Sequence, residues 1–218
     1  IGLPRIIFLN KVDKENSNFV KLVADLHVEF GKKITPLTIP LGEGNDFRGI
    51  IDVVEKRAFE CDGFKCKEVE IPEIRKLEVD EIYNQLEEAV AMTDDNLMEK
   101  YFNGEKFTEE EFRNGITAGM LDGSVVPLIA GSATVGTGLD LLMDCIVKYM
   151  PAPDDERANI GFRVESGNPR KVNANEPLSA VVFKTIVDPF LGKISIFKVV
   201  SGKVTKDTEI YNSSKNIV

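Results

Sequence analysis

The chain has 218 residues, is 43% hydrophobic and 29% charged, and carries a formal net charge of −9. That length allows one large domain or two small ones with a real core. No apolar run in the chain reaches the roughly 18 residues needed to span a bilayer. The charge is uneven: residues 34–122 hold 22 acids and 10 bases, a net of −12. Such a block repels nucleic acid and suits a basic partner. The first residue is Ile, and no signal peptide pattern precedes the first charges, so the chain reads as a piece of a longer protein.

In chain order, residues 5–9 predict a strand, ending abruptly in Asn10, Lys11, Val12 and Asp13. Residues 16–30 predict a helix capped by Asn16 or Ser17, with Phe19, Leu22, Val23, Leu26 and Phe30 as its stripe and Gly31 as its stop. His27 falls on that helix and reads as a surface residue. ITPLTIPL, 34–41, reads as extended, and its prolines suggest an edge. Residues 49–71 predict a strand and a hairpin.

The three cysteines do not make a disulfide scaffold. Cys61 and Cys66 flank Asp62-Gly63, a strong turn signal. A turn centred on that pair sets Cys61 opposite Phe64 and Phe59 opposite Cys66. The two thiols are then diagonal neighbours and expected to stay reduced. With one histidine in the chain, a zinc site is not expected.

Residues 73–121 read as helical. Ile74, Leu77, Ile82, Leu86 and Val90 recur at roughly helical spacing, and Thr108 with Glu111 makes a capping box. Residues 125–133 predict a second short apolar strand and 139–150 another helix. PAPDDER, 151–157, is a boundary. Beyond it LSAVVFKTI, KISIFKVVSGKV and TEIYN read as strands of a β domain, too short for a closed barrel. This tail, from residue 159, holds 9 bases and 5 acids.

Two strand ends carry the candidate chemistry, because open α/β sheets bind ligands there. At the first, the Asp13 carboxylate can accept from guanine N1–H and N2–H together, a charge-assisted pair. Adenine offers neither donor, and a desolvated carboxylate left unpaired supports roughly 10⁴-fold discrimination. Asn10 can brace the neighbouring loop and reach the base's polar edge, and the Lys11 stem can lie along the ring. At the second, AGSAT, Ser132 can brace the Asp13 loop and the Ala133 N–H can donate to guanine O6.

NKVD and GSA resemble the fourth and fifth guanine-specificity motifs of GTP-binding proteins. PLTIPLGEGNDFRGIIDVV, LMEKYFNGEKFTEEE, PLIAGSATVGTGLDLLMDCIVKYMPAP and FKTIVDPFLGKISIFKVVSG resemble bacterial translation elongation factor G over essentially the whole chain. Departures such as NKVDK and GSATVGTGLD imply a divergent member or paralogue, acting in translocation or in ribosome recycling. The fold implied is α/β: the C-terminal third of a P-loop GTPase domain at 1–33 and 123–152, an acidic α+β insert at 34–122, and the start of a truncated all-β barrel at 153–218.

The resemblance also implies GTP/GDP as ligand, with Mg²⁺ in the parent protein. It implies a cytoplasmic setting and the ribosome as partner: the stalk protein through acids such as Glu81, Glu87, Glu88, Asp94, Asp95, Glu109 and Glu110, and ribosomal RNA through other parts. No membrane contact is expected. No G-x-x-x-x-G-K-[ST] phosphate loop occurs in the chain, and Asp46-Phe-Arg-Gly49 follows NKVD instead of preceding it, so it is not the switch motif. Phosphoryl transfer needs the phosphate cradle and its metal. The parent is therefore expected to hydrolyse GTP, and this piece to bind nucleotide weakly and turn none over. The alternatives are an acidic protein-binding module docking on the ribosomal stalk, with NKVD residual, and a ribosome-protection-type GTPase.

Overall fold

The computed structural model describes residues 3–152, 155 and 172–216, and the chain divides into two units between Pro151 and Ala152. The first unit contains three short parallel strands, β1 (Ile7–Leu9), β7 (Val126–Ala130) and β2 (Ile34–Pro36), in the order β1-β7-β2. β7 is buried along its whole length, as a central parallel strand requires. β2 comes from the first residues that the sequence assigns to the insert.

Helix α1 (Phe19–Phe30) follows β1. Its cap is Asn18, whose side chain accepts from the Lys21 N–H, instead of Asn16 or Ser17. Asn16 has φ 64° and stands outside the helix. Gly31 ends it with φ 84°, as expected. Phe19 is buried, and Val23 and Leu26 pack on the core, whereas Leu22 and Phe30 face outward. His27 is half-buried and its Nε2 bonds the Ile34 carbonyl oxygen at 2.8 Å, tying α1 to β2.

An antiparallel sheet follows, β3 (Thr38–Leu41), β4 (Gly49–Asp52), β5 (Arg57–Asp62) and β6 (Lys65–Val69), in sequence order. The segments rich in proline, β2 and β3, both lie at sheet edges. The cysteine expectation fails here. Asp62 pairs with Lys65, so Gly63 and Phe64 make the turn, one residue later than Asp62-Gly63. Cys61 then lies directly opposite Cys66, with Cα atoms 4.0 Å apart, and the two form a disulfide. A one-residue shift of turn exchanges diagonal for facing neighbours. Gly49 fits because any Cβ would meet the Phe59 carbonyl oxygen at 1.8 Å; close strand packing accounts for the glycine of Asp46-Phe-Arg-Gly49.

Three helices follow, α2 (Glu73–Ala91), α3 (Asp95–Phe102) and α4 (Glu109–Asp122), the last with the expected Thr108–Glu111 capping box. The α2 stripe differs from the expected one. Val79, Leu86 and Val90 are buried, with Ile82 and Tyr83 packed beside them, but Ile74 is 87% and Leu77 71% exposed. Leu77 lies nine residues before Leu86, about two and a half turns, which puts it on the opposite face. Helix α5 (Leu139–Tyr149) closes the unit. One apolar cluster joins the parallel sheet to β3–β5; a second joins α2, α3, α4, β7 and α5.

The second unit is a two-stranded antiparallel ribbon, β8 (Ser179–Asp188) and β9 (Gly192–Ser201), joined by the Asp188-Pro-Phe-Leu turn. Asp188 accepts from the Phe190 and Leu191 N–H groups at 2.8 Å. TEIYN forms no strand; only Asn212 makes an isolated bridge. The described residues of this unit form no barrel. The start of its expected span lies outside them.

Candidate functional site

The parallel pairing of Leu9 with Ala130 puts the ends of β1 and β7 side by side. Asn10–Asp13 and Gly131–Ala133 therefore emerge together. Their backbones are stitched: the Gly131 N–H donates to Leu9 O at 3.0 Å, and the Val12 N–H to Gly131 O at 3.3 Å. The Asn10 side-chain oxygen accepts from the Lys11 N–H and from the Ala133 N–H, both at 2.9 Å. So the Ala133 donor expected to face a base is engaged by Asn10; serving O6 would require it to exchange or share that bond. Lys11 is exposed and takes φ 66°, a conformation that ordinary residues adopt rarely.

Asp13 sits at the junction. The Ser132 hydroxyl is the main influence holding its carboxyl below the ordinary carboxylate range; partial burial opposes it, and Lys14 assists. Lys14 Nζ lies 3.2 Å from Asp13 Oδ2. Asp13 Oδ1 is buried yet has no hydrogen-bond partner of its own. Ser132 is fully buried. A buried carboxylate oxygen with an open valence is costly unless a donor arrives to fill it.

Sequence reasoning missed the supports behind these loops. Ser17 donates to Val12 O at 2.8 Å and accepts from the Gly44 N–H at 3.1 Å, while that N–H also reaches Val12 O at 2.9 Å. Glu43 accepts from the Phe19 N–H at 3.0 Å, covering a second N-terminal donor of α1. The LGEG loop after β3 thus buttresses NKVD, a relation no local pattern announces. A hollow of ≈ 350 Å³ opens beside it, lined by Asn10, Lys11, Asn18 and Glu43 among others. A larger one, ≈ 820 Å³, lies between α4 and α5 near Tyr83, Phe107 and Tyr149, and none of the five candidate residues lines it. Among the described residues no cluster of side chains suits a metal ion, and no helix is long and apolar enough to cross a membrane.

Two parallel strands that end in polar loops, each running on toward a helix, define a nucleotide-binding type of α/β domain. Residues 1–152 match the elongation factor Tu GTP-binding domain, and the chain belongs to that family. Within it the chain is elongation-factor-G-like. It is 36% identical over 98% of its length to elongation factor G of Thermotoga neapolitana, and 35% identical over the same share to that of Thermotoga maritima. It spans about a third of the length of these relatives (32% of each). A crystal structure of a protein from Thermus thermophilus superposes with a TM-score of 0.77 at 28% identity, covering 92% of this chain and 28% of that one.

Proposed function

We propose that the two strand-end loops are the guanine-reading wall of a ribosome-associated translational GTPase, with Asp13 as the residue that selects the base. The observation that supports this reading is the meeting of the two strand ends, where Asn10 joins the Ala133 N–H and where Ser132, assisted by Lys14, holds the Asp13 carboxyl below the ordinary carboxylate range. In this reading Asp13 takes guanine N1–H and N2–H, Lys11 covers one face of the ring, Asn10 and Ser132 hold the loops, and the Ala133 N–H meets O6. The whole protein would couple GTP hydrolysis to translocation or recycling on the ribosome. This chain, with no phosphate-loop motif in its sequence, would read the base without cleaving the nucleotide. The test is calorimetry of the chain with GDP and with ADP. Weak, guanine-selective binding without turnover supports the reading; equal affinity for the two nucleotides, or turnover of GTP, sinks it.

A second reading concerns the insert. Of the seven candidate acids, Glu81, Glu88, Asp94, Asp95, Glu109 and Glu110 are exposed and Glu87 is half-buried. On α2, Ile74 and Leu77 are exposed too, at helical spacing from Glu81 and Glu88. That combination fits a basic partner domain such as that of the ribosomal stalk protein, with affinity falling as salt rises. An affinity that ignores ionic strength would remove the charge argument.

A further inference from the structure

The Gly63-Phe64 tip of the β5–β6 hairpin reaches the loop that carries Ser132 and Ala133. The Phe64 ring lies against Gly136: a Cβ at that glycine would fall 2.8–3.0 Å from three ring carbons. Gly136 also has φ 94° and is buried, so both backbone and space restrict the position to glycine. The Thr137 hydroxyl donates to Gly63 O at 3.4 Å. On its other side the loop is closed by its own backbone, with the Gly136 N–H on Ser132 O at 2.7 Å and the Ser132 N–H on Thr137 O at 2.9 Å. Phe64 is 78% exposed overall, so the contact with Gly136 covers only one side of its ring.

The tip has little else to hold it. β6 is an edge strand, and β4 pairs with β5 only as far as Glu60, with one further bond from the Cys61 N–H to Arg48 O at 2.8 Å. Beyond that, residues 62–65 form an unsupported two-stranded end, which is marginal in water. The Cys61–Cys66 disulfide spans the ribbon where the third strand stops. Cys66 is exposed, so a reductant can reach the bond.

We propose that Phe64 is a positioning residue for the base-reading loop, held over Gly136 by the Cys61–Cys66 disulfide, so that reduction of that disulfide loosens residues 132–137. The reductant is a dithiol. Its thiolate attacks one sulfur of the bond, its second thiol resolves the mixed disulfide, and two electrons and two protons pass to Cys61 and Cys66, which leave as thiols while the reductant becomes a disulfide. The ring then loses its fixed approach to Gly136, and the loop bearing Ser132 and Ala133 opens more often. The link to nucleotide rests on the guanine-reading proposal; the link from hairpin to loop does not.

Hydrogen exchange of the chain, oxidised and treated with dithiothreitol, tests this, alongside Phe64→Ala, Phe64→Tyr and the Cys61→Ser/Cys66→Ser double variant. Amides of residues 132–137 are expected to exchange about tenfold faster on reduction, in Phe64→Ala and in the double variant, with β7 unchanged and Phe64→Tyr like the parent chain. GDP titration in the same states should show weaker binding wherever the loop is loosened. Loop exchange that is the same in all states overturns the proposal, as does an air-oxidised chain in which Cys61 and Cys66 still titrate as free thiols. Faster loop exchange with no GDP binding in any state would support the positioning role and overturn the base-reading function instead. Should Phe64→Ala fail to fold, reduction and the double variant give the same readout.

Discussion

The Ala133 N–H donates to Asn10 Oδ1 at 2.9 Å across 123 residues of chain. One side-chain oxygen thereby joins the two loops that carry every candidate base contact. The bond fixes the spacing of the two loops, and a base that reached the Ala133 N–H through O6 would have to share or displace it.

Asp13→Asn is expected to remove guanine selectivity, because an amide cannot accept from N1–H and N2–H at once. The same substitution supplies an N–H facing the C2 position, where xanthine carries a carbonyl. Titration of the variant with GDP and xanthosine diphosphate should show the preference reversed by at least about tenfold. An unchanged GDP preference would mean that Asp13 does not read the base.

Asp13 also makes an acid-side prediction. Its carboxyl titrates below the ordinary range when folded, chiefly through Ser132. Its contribution to stability is therefore present above the unfolded value near 4 and disappears as pH falls through the lower, folded value. Ser132→Ala should move the Asp13 titration upward, observable by carbon NMR of the carboxyl. No movement would show that Ser132 is not the cause.

At the alkaline end, burial pushes the Cys145 thiol from 9.0 up to about 12, and burial likewise raises the Tyr149 phenol. Both groups favour the folded chain while protonated. Their contribution is complete below about 9 and is lost as pH rises toward 12. Urea midpoints should fall across that window, less steeply in Cys145→Ala. Native Cys145 should also resist thiol reagents at neutral pH and react on unfolding.

Gly49→Ala should destabilise the first unit by about 3 kcal/mol, since its Cβ would collide with the Phe59 backbone carbonyl and only strand separation relieves it. Urea denaturation followed by circular dichroism measures this. A loss below about 0.5 kcal/mol would mean that β4 and β5 part easily.

Asn10→Ala should cost about 1 kcal/mol, the net worth of one such bond, and weaken GDP binding without altering the β1–β7 pairing. Exchange of the Ala133 amide reports the loss directly. If that amide stays protected, another acceptor holds it.

Much was legible in the chain because local rules act over a few residues. Helix α5 and the Thr108–Glu111 capping box lie where their patterns put them, and α1 forms as expected although its cap moved to Asn18 and only Phe19, Val23 and Leu26 of its stripe meet the core. The misreadings came where a choice of one residue or one face is settled elsewhere. The turn of β5–β6 falls on Gly63-Phe64, where the tip also meets the Val135–Thr137 loop. Ile74 and Leu77 fit a helical stripe by spacing, but the core lies toward Val79, Leu86 and Val90.

By itself, then, the sequence determined which residues stand at the two strand ends, since an apolar run must stop where polar groups begin, and it carried the resemblance to elongation factor G that the relatives bear out. Only the tertiary structure decided how those ends meet. Parallel pairing of β1 with β7 sets Leu9 beside Ala130 and so brings Asn10 to Ala133 and Ser132 to Asp13. Gly44 behind Val12 and Phe64 over Gly136 are contacts of the same kind. Their partners are separated by tens of residues, and only the packed sheets set the distance between them.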